Sequence, residues 1–116
     1  MNTGLEGPFT LSHESIDFAV KLTRPGTYVL GRLNTNRTFI VEYVGRSDTD
    51  LNDRLHDWVE SYPMFKASYF PSAEVAYNKE CEIYHMFGGS QQLDNAIHPD
   101  HPDDTDWSCP VSNCYN

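Results

Sequence analysis

Residues 26 to 45 read Gly-Thr-Tyr-Val-Leu-Gly-Arg-Leu-Asn-Thr-Asn-Arg-Thr-Phe-Ile-Val-Glu-Tyr-Val-Gly, two runs rich in β-branched and aromatic residues on either side of a polar turn. Such runs suit the pleated, half-buried surface of a strand, and Asn34-Thr35-Asn36 between them supplies the turn, so residues 27 to 32 and 38 to 44 are expected to form a β-hairpin. Arg24-Pro25-Gly26 marks the turn that precedes it. A loop centred on Thr35 and Asn36 sets Tyr28 opposite Tyr43, which places two phenols on one face of the sheet.

Outward from the hairpin, Leu51, Leu55, Trp58 and Tyr62 recur at helical spacing, which predicts a helix from residue 50 to about 61 with Asp48 or Thr49 as its N-cap. Residues 67 to 70, bounded by Pro63 and Pro71, read as a third strand, and Ser72 then caps a second helix that runs to the glycine stop at Gly88-Gly89. Residues 9 to 20 read as an edge strand or a short helix. The expected class is α+β: a small, mainly antiparallel sheet of three strands, or four with that edge strand, flanked by helices. Residues 1 to 25 are expected as an N-terminal extension, 26 to 95 as the domain built on the hairpin and 96 to 116 as a C-terminal tail.

At 116 residues the chain has room for one modest hydrophobic core, and a hydrophobic fraction of 39% marks it as globular. No stretch reaches the roughly 20 apolar residues of a membrane span. No basic, apolar leader opens the chain, so a cytoplasmic location is the expectation. Net charge is −9, which argues against a general basic surface for nucleic acid, since phosphate neutralisation dominates such affinity. Its distribution softens that objection, because Lys21, Arg24, Arg32, Arg37, Arg46 and Arg54 gather in residues 21 to 54 against four acids.

Three side chains carry both an ordinary and a chemical reading. Glu80 sits in the second helix where the stripe of Ala76, Ile83 and Phe87 would place an apolar residue; it is either a flank acid in a salt bridge or a buried, metal-binding carboxylate. Arg54, beside the stripe of the first helix, is either a surface arginine lying along apolar neighbours or a fixed guanidinium for a phosphate oxygen. Tyr28 and Tyr43 are either a cross-strand aromatic pair or the phenols of a reactive site.

Their joint order resembles a known pattern. Gly26-Thr27-Tyr28 and Tyr43-Val44-Gly45 are similar to the two signature tripeptides of the GIY-YIG nuclease superfamily, with Thr27 and Val44 where that family has isoleucine. Arg46 to Leu55 resembles the family's basic residue, loop and helix bearing its catalytic arginine, here Arg54. Glu80 matches the helix glutamate and Asn95 the late asparagine, so the resemblance covers residues 26 to 95. The loop before Arg54 is one residue longer than usual, and where some relatives carry a histidine this chain has Trp58, with His56 out of register.

The resemblance implies a metal-dependent endonuclease that hydrolyses phosphodiester bonds in nucleic acid, DNA rather than RNA. In it Tyr28 would be general base or proton relay, Tyr43 would orient the water or phosphate, and Arg46 and Arg54 would hold the scissile phosphate. Glu80 would ligate Mg²⁺ or Mn²⁺, and Asn95 would brace the site. A lone domain with an acidic surface also implies a targeting protein partner. The competing reading is a catalytically weak or inactive binding module on the same fold, and a third is a zinc-stabilised structural domain of another fold.

The tail suggests a second metal. Cys81 and His85 stand at i and i+4 on the predicted helix, and Cys109 and Cys114 lie in the tail, a set that would suit Zn²⁺ if the four converge. His98 and His101 are the substitutes for Cys114, and reduced free cysteines with solvated histidines are the alternative.

Overall fold

The structure, a computed structural model, describes residues 3–111. Four strands, β1 (Glu6–Thr10), β2 (Gly26–Leu33), β3 (Phe39–Ser47) and β4 (Met64–Tyr69), form one antiparallel sheet in the order β1-β4-β2-β3. Three helices accompany it: α1 (His13–Ala19), α2 (Leu51–His56) and α3 (Ala73–Met86), the last followed by a 3₁₀ turn at Gly89–Gln91. The α+β class holds, with the fourth strand supplied by β1.

Alternation along the strands sorts the core into two layers. On one face Tyr28, Leu30, Phe65 and Ala67 pack against Ile16 and Val20 of the α1 region and Leu51 and Leu55 of α2. On the other, Val29 and Val44 meet Ile83 and Tyr84 of α3 together with Leu5 and Leu93. Each such side chain withdrawn from water contributes about 1.5–3 kcal/mol before conformational entropy is subtracted. Leu5, Leu11, Ile16 and Val20 are all buried, so the residues before Gly26 are part of the packed core.

The hairpin register differs from the expected one. Tyr28 faces Gly45, and Tyr43 faces Leu30. Two single-residue insertions cause this. Arg37 takes a left-handed conformation (φ 64°) at the end of the turn, which adds one residue to the loop. Glu42 is then the extra residue between the pairs Leu30↔Tyr43 and Gly31↔Val41, a β-bulge. One slip would have turned every later side chain to the opposite face; two in the same direction restore it, so both phenols still share a face.

Helix α2 is shorter than its apolar spacing predicts. Its N-cap is Asp50, whose side chain accepts from the Asp53 amide, and beyond His56 the chain tightens to three-residue bonds from Trp58 N to Leu55 O and from Ser61 N to Trp58 O. That tightening takes Trp58 off the helix. Ser72 caps α3 as expected by accepting from the Val75 amide, a bond worth about 1 kcal/mol. Strand β4 starts at Met64 rather than 67, because it lies between β1 and β2 and pairs along both sides.

Both outer edges of the sheet are interrupted. In β1, Pro8 has no N–H to offer, and the pairing with β4 is irregular between Glu6 and Phe9. Along β3 the asparagine side chain at 95 behaves as a strand partner: its Oδ1 accepts from Val44 N (3.0 Å) and its Nδ2 donates to Val44 O (2.7 Å). Asp94 N donates to the carbonyl of the bulged Glu42 at 2.7 Å. Among the described residues no helix is long and apolar enough to cross a membrane.

Candidate functional site

Strand β3 lies at the edge of the sheet, so side chains from both of its faces can meet around it. There they line a cleft of about 350 Å³ formed by Tyr28, Tyr43, Gly45, Arg46, Arg54, Trp58 and Glu80 with the 47 to 49 loop. The phenols, Trp58 and Arg54 come from the face that α2 covers; Glu80 comes from α3 on the other. Gly45 lets the two halves join: a β-carbon there would stand 2.5 Å from the Cζ and Oη of Tyr28, so only glycine admits the phenol across the strand.

Tyr28 is 2% exposed, and its hydroxyl accepts a hydrogen bond from Trp58 Nε1 at 2.8 Å. With one lone pair so used, the phenolic proton remains available to a group in the cleft. The Trp58 ring lies 4.6 Å from that of Tyr43, which also packs near Tyr62. Burial pushes the Tyr28 phenol well above its usual range, the neighbouring Tyr43 adds to this, and the Trp58 bond and Arg54 oppose it without reversing it. Tyr43 is raised in the same direction, by burial first and then by Glu80.

Glu80 is a buried carboxylate, 7% exposed, at the i+4 position of the apolar stripe of α3. Burial pushes it up to about 7, with the Arg46 guanidinium resisting. Arg46 donates from Nη1 to Glu80 Oε1 at 2.7 Å and from Nε to Asp48 Oδ1 at 2.6 Å, and its guanidinium lies 5.1 Å from the centre of the Tyr77 ring. Arg46 is therefore held by two carboxylates. Arg54 is exposed at the cleft rim, and no carboxylate pairs with it among the described residues.

Asn95 does not line this cleft. It fixes β3 at Val44, between Tyr43 and Gly45, and lines a neighbouring pocket of about 180 Å³ that shares Tyr43 and Glu80 with it. Thr27 is buried as well, and its hydroxyl donates to Ala76 O at 2.7 Å, tying β2 to α3 one turn before Glu80. His56 turns away, against His13 and Asp17 of α1.

Trp58, Asp48 and Gly45 also line the cleft, beyond the site residues expected from the sequence. Trp58 shares the apolar spacing of Leu51 and Leu55, which signals a core residue. Asp48 sits two residues from Arg46, and that proximity was the available signal.

In the tail the structure brings together one donor atom each from Cys81, His98 and Cys109, all within 4.8 Å of one another, a group able to hold a metal ion such as zinc. His85 adjoins it, Nε2 to His98 Nε2 at 3.1 Å. His101 instead bonds within its own segment, to Pro102 O and Thr105 Oγ1. Cys114 lies outside the described residues. Burial pushes the Cys81 thiol well above its usual range, a direction that bound cationic charge would reverse. No protein-family description, curated protein or solved structure matches this chain.

Proposed function

We propose that the protein is a GIY-YIG-type endonuclease that hydrolyses phosphodiester bonds in nucleic acid, DNA rather than RNA, with a divalent cation. The observation that carries this reading is the convergence of Tyr28 from β2, Arg54 from α2 and Glu80 from α3 on a single cleft. Together these three residues from separate elements offer a phenol, a free guanidinium and a buried acid.

The cleft suits Mg²⁺ or Mn²⁺ at Glu80. These ions take hard oxygen donors, commonly one or two carboxylates completed by water and phosphate oxygens, and the Glu80 carboxylate remains under-compensated by Arg46 alone. Bound there, the cation would polarise a phosphate oxygen and offset charge on the departing 3′-oxygen. Arg54 would grip a phosphate oxygen at the rim, and Arg46 would keep the Glu80 carboxylate oriented. Tyr43 would position the phosphate or the attacking water. Tyr28, its lone pair engaged by Trp58, would pass a proton between that water and the phosphate; burial keeps the phenol protonated, which suits a relay better than a resting base. Asn95 acts as a positioning residue through Val44.

For the thiol and imidazole group we propose zinc in a structural role, in keeping with the preference of that ion for such donors. A net charge of −9 supports a targeting protein partner over tight binding to bare duplex. One observation favours a second reading, a binding module that does not cut: Arg46 is already closed by Asp48 and Glu80. A single experiment separates the two. Flap, branched, single-stranded and duplex substrates are incubated with Mg²⁺ or Mn²⁺ and the parent protein, Glu80→Ala or Tyr28→Phe. Cutting by the parent alone supports the nuclease; binding without cutting in all three supports the module.

A further inference from the structure

The segment from residue 92 to 111 contains neither helix nor strand, yet Leu93, Asn95 and Pro99 within it are buried. Leu93 joins the core and Trp107 packs on Tyr77, while Asp100, Asp103, Asp104 and Asp106 of the same irregular stretch repel one another. Besides the packing of Trp107 and His101 on Tyr77, the segment meets α3 at the cluster of Cys81 and His85 with His98 and Cys109.

We propose that Cys81, His85, His98 and Cys109 bind one Zn²⁺ as a tetrahedral site, and that this ion clamps the tail to α3 so that Asn95 stays on β3. The inference deepens the zinc reading given above by fixing the ligand set and its effect on the cleft, and it does not depend on nuclease activity.

Three features of the geometry support it. His98 Nδ1 lies 2.7 Å from Pro99 O, so that nitrogen carries the proton and donates, leaving Nε2 unprotonated as a ligand; a metal-bound histidine characteristically donates its other N–H in this way. The two imidazoles approach Nε2 to Nε2 at 3.1 Å, close to the edge of about 3.3 Å expected for two nitrogens about 2.0 Å from a tetrahedral zinc. The two thiols and a His98 nitrogen lie within 4.8 Å of one another, so a contraction of about 1 Å or less brings these three to zinc–thiolate spacing, and His85, outside that group, closes in from beside His98. On binding, both thiols release their protons to solvent and the ion takes the two thiolates and two neutral imidazoles.

The clamp has a consequence for the cleft. Cys81 follows Glu80 in α3, and His98 comes three residues after Asn95, so the ion would join the helix that carries the acid to the segment that pairs with β3. The pocket lined by His98, Asn95, Tyr43 and Glu80 is the space between them.

The test uses the full chain with excess Mg²⁺ throughout. Elemental analysis should give about one zinc per chain, and Co²⁺ substitution should give the strong near-ultraviolet absorption of cobalt–thiolate bonds. Cys109→Ser and His85→Gln should each weaken zinc binding at least tenfold in competition with a chromogenic chelator. Removing zinc from the unmutated protein should speed amide exchange at Val44 and Asp94 while leaving Val29 protected. If no zinc binds, or the unreduced protein has a Cys81–Cys109 disulfide, both this inference and the zinc reading fail. Should Cys114→Ser release zinc while His85→Gln retains it, or Val44 exchange stay unchanged on zinc removal, the zinc reading survives and this inference fails. None of these readouts depends on cleavage, which tests the nuclease separately.

Discussion

Replacing Glu80 by glutamine should make the metal-free protein progressively more stable, relative to the parent, as pH rises from 5 to 8. Burial lifts this carboxyl to about 7, against 4.5 for a free glutamate. Between those values the unfolded chain has released the proton while the folded one still holds it, so the parent's stability falls as pH rises through that window. Each pH unit of difference is worth about 1.4 kcal/mol, which makes the full loss about 3 kcal/mol, a large fraction of a small domain's total. The amide keeps an acceptor oxygen for Arg46 and removes the ionisation, so the variant lacks this contribution. Urea unfolding of both proteins in chelator, at half-unit steps from pH 5 to 8.5, measures the difference directly. Millimolar Mn²⁺ should then restore the parent at pH 8 and leave the glutamine variant unchanged, because only a carboxylate site gains from the ion. Parallel stability curves, or equal stabilisation of both proteins by Mn²⁺, would refute the description of Glu80 as a buried acid awaiting a cation.

Further outcomes follow from the same cleft. Tyr28→Phe should abolish cleavage and cost about 1 kcal/mol in urea unfolding, because the half-buried Trp58 N–H loses its acceptor; adding Trp58→Phe should recover part of the stability and none of the activity. Gly45→Ala should reduce cleavage at least tenfold and cost about 1–3 kcal/mol, its methyl displacing the Tyr28 phenol; full activity would show that the phenol is not needed where it lies. Asn95→Ala should cost about 1–3 kcal/mol and accelerate hydrogen exchange at the Val44 amide, with no change at that amide counting against the brace.

The elements that could be read from the sequence are those specified by local chemistry. The hairpin followed from two β-rich runs around a polar turn, and α3 from the Ser72 cap and the glycines after it. The same local reasoning marked Glu80, because a charge in an apolar stripe breaks its period. What escaped was set by longer-range or subtler geometry. Register depended on the positive φ of Arg37 and the bulge at Glu42, neither of which has a distinctive residue type. The early end of α2 carried Trp58 to Tyr28, although its spacing matched a longer helix. The ion pair between Arg46 and Glu80 joins residues 34 apart and required the folded sheet edge to be seen. The Cys81, His98 and Cys109 cluster contains one of the two histidines that the sequence offers in place of Cys114, and only the fold separates it from His101, which bonds within its own segment.

The asparagine on β3 also bears on how copies of the protein behave in a crowded solution. A sheet rim with unmet amides and carbonyls is a template onto which another molecule can add its own chain, and such growth has no natural end. Here one rim carries a proline and a distorted ladder, and the other is stopped at Val44 by a side-chain amide that occupies the docking groups and, being short, offers nothing for a further chain to join. Loss of that amide would therefore be felt first as filament or precipitate formation at high concentration.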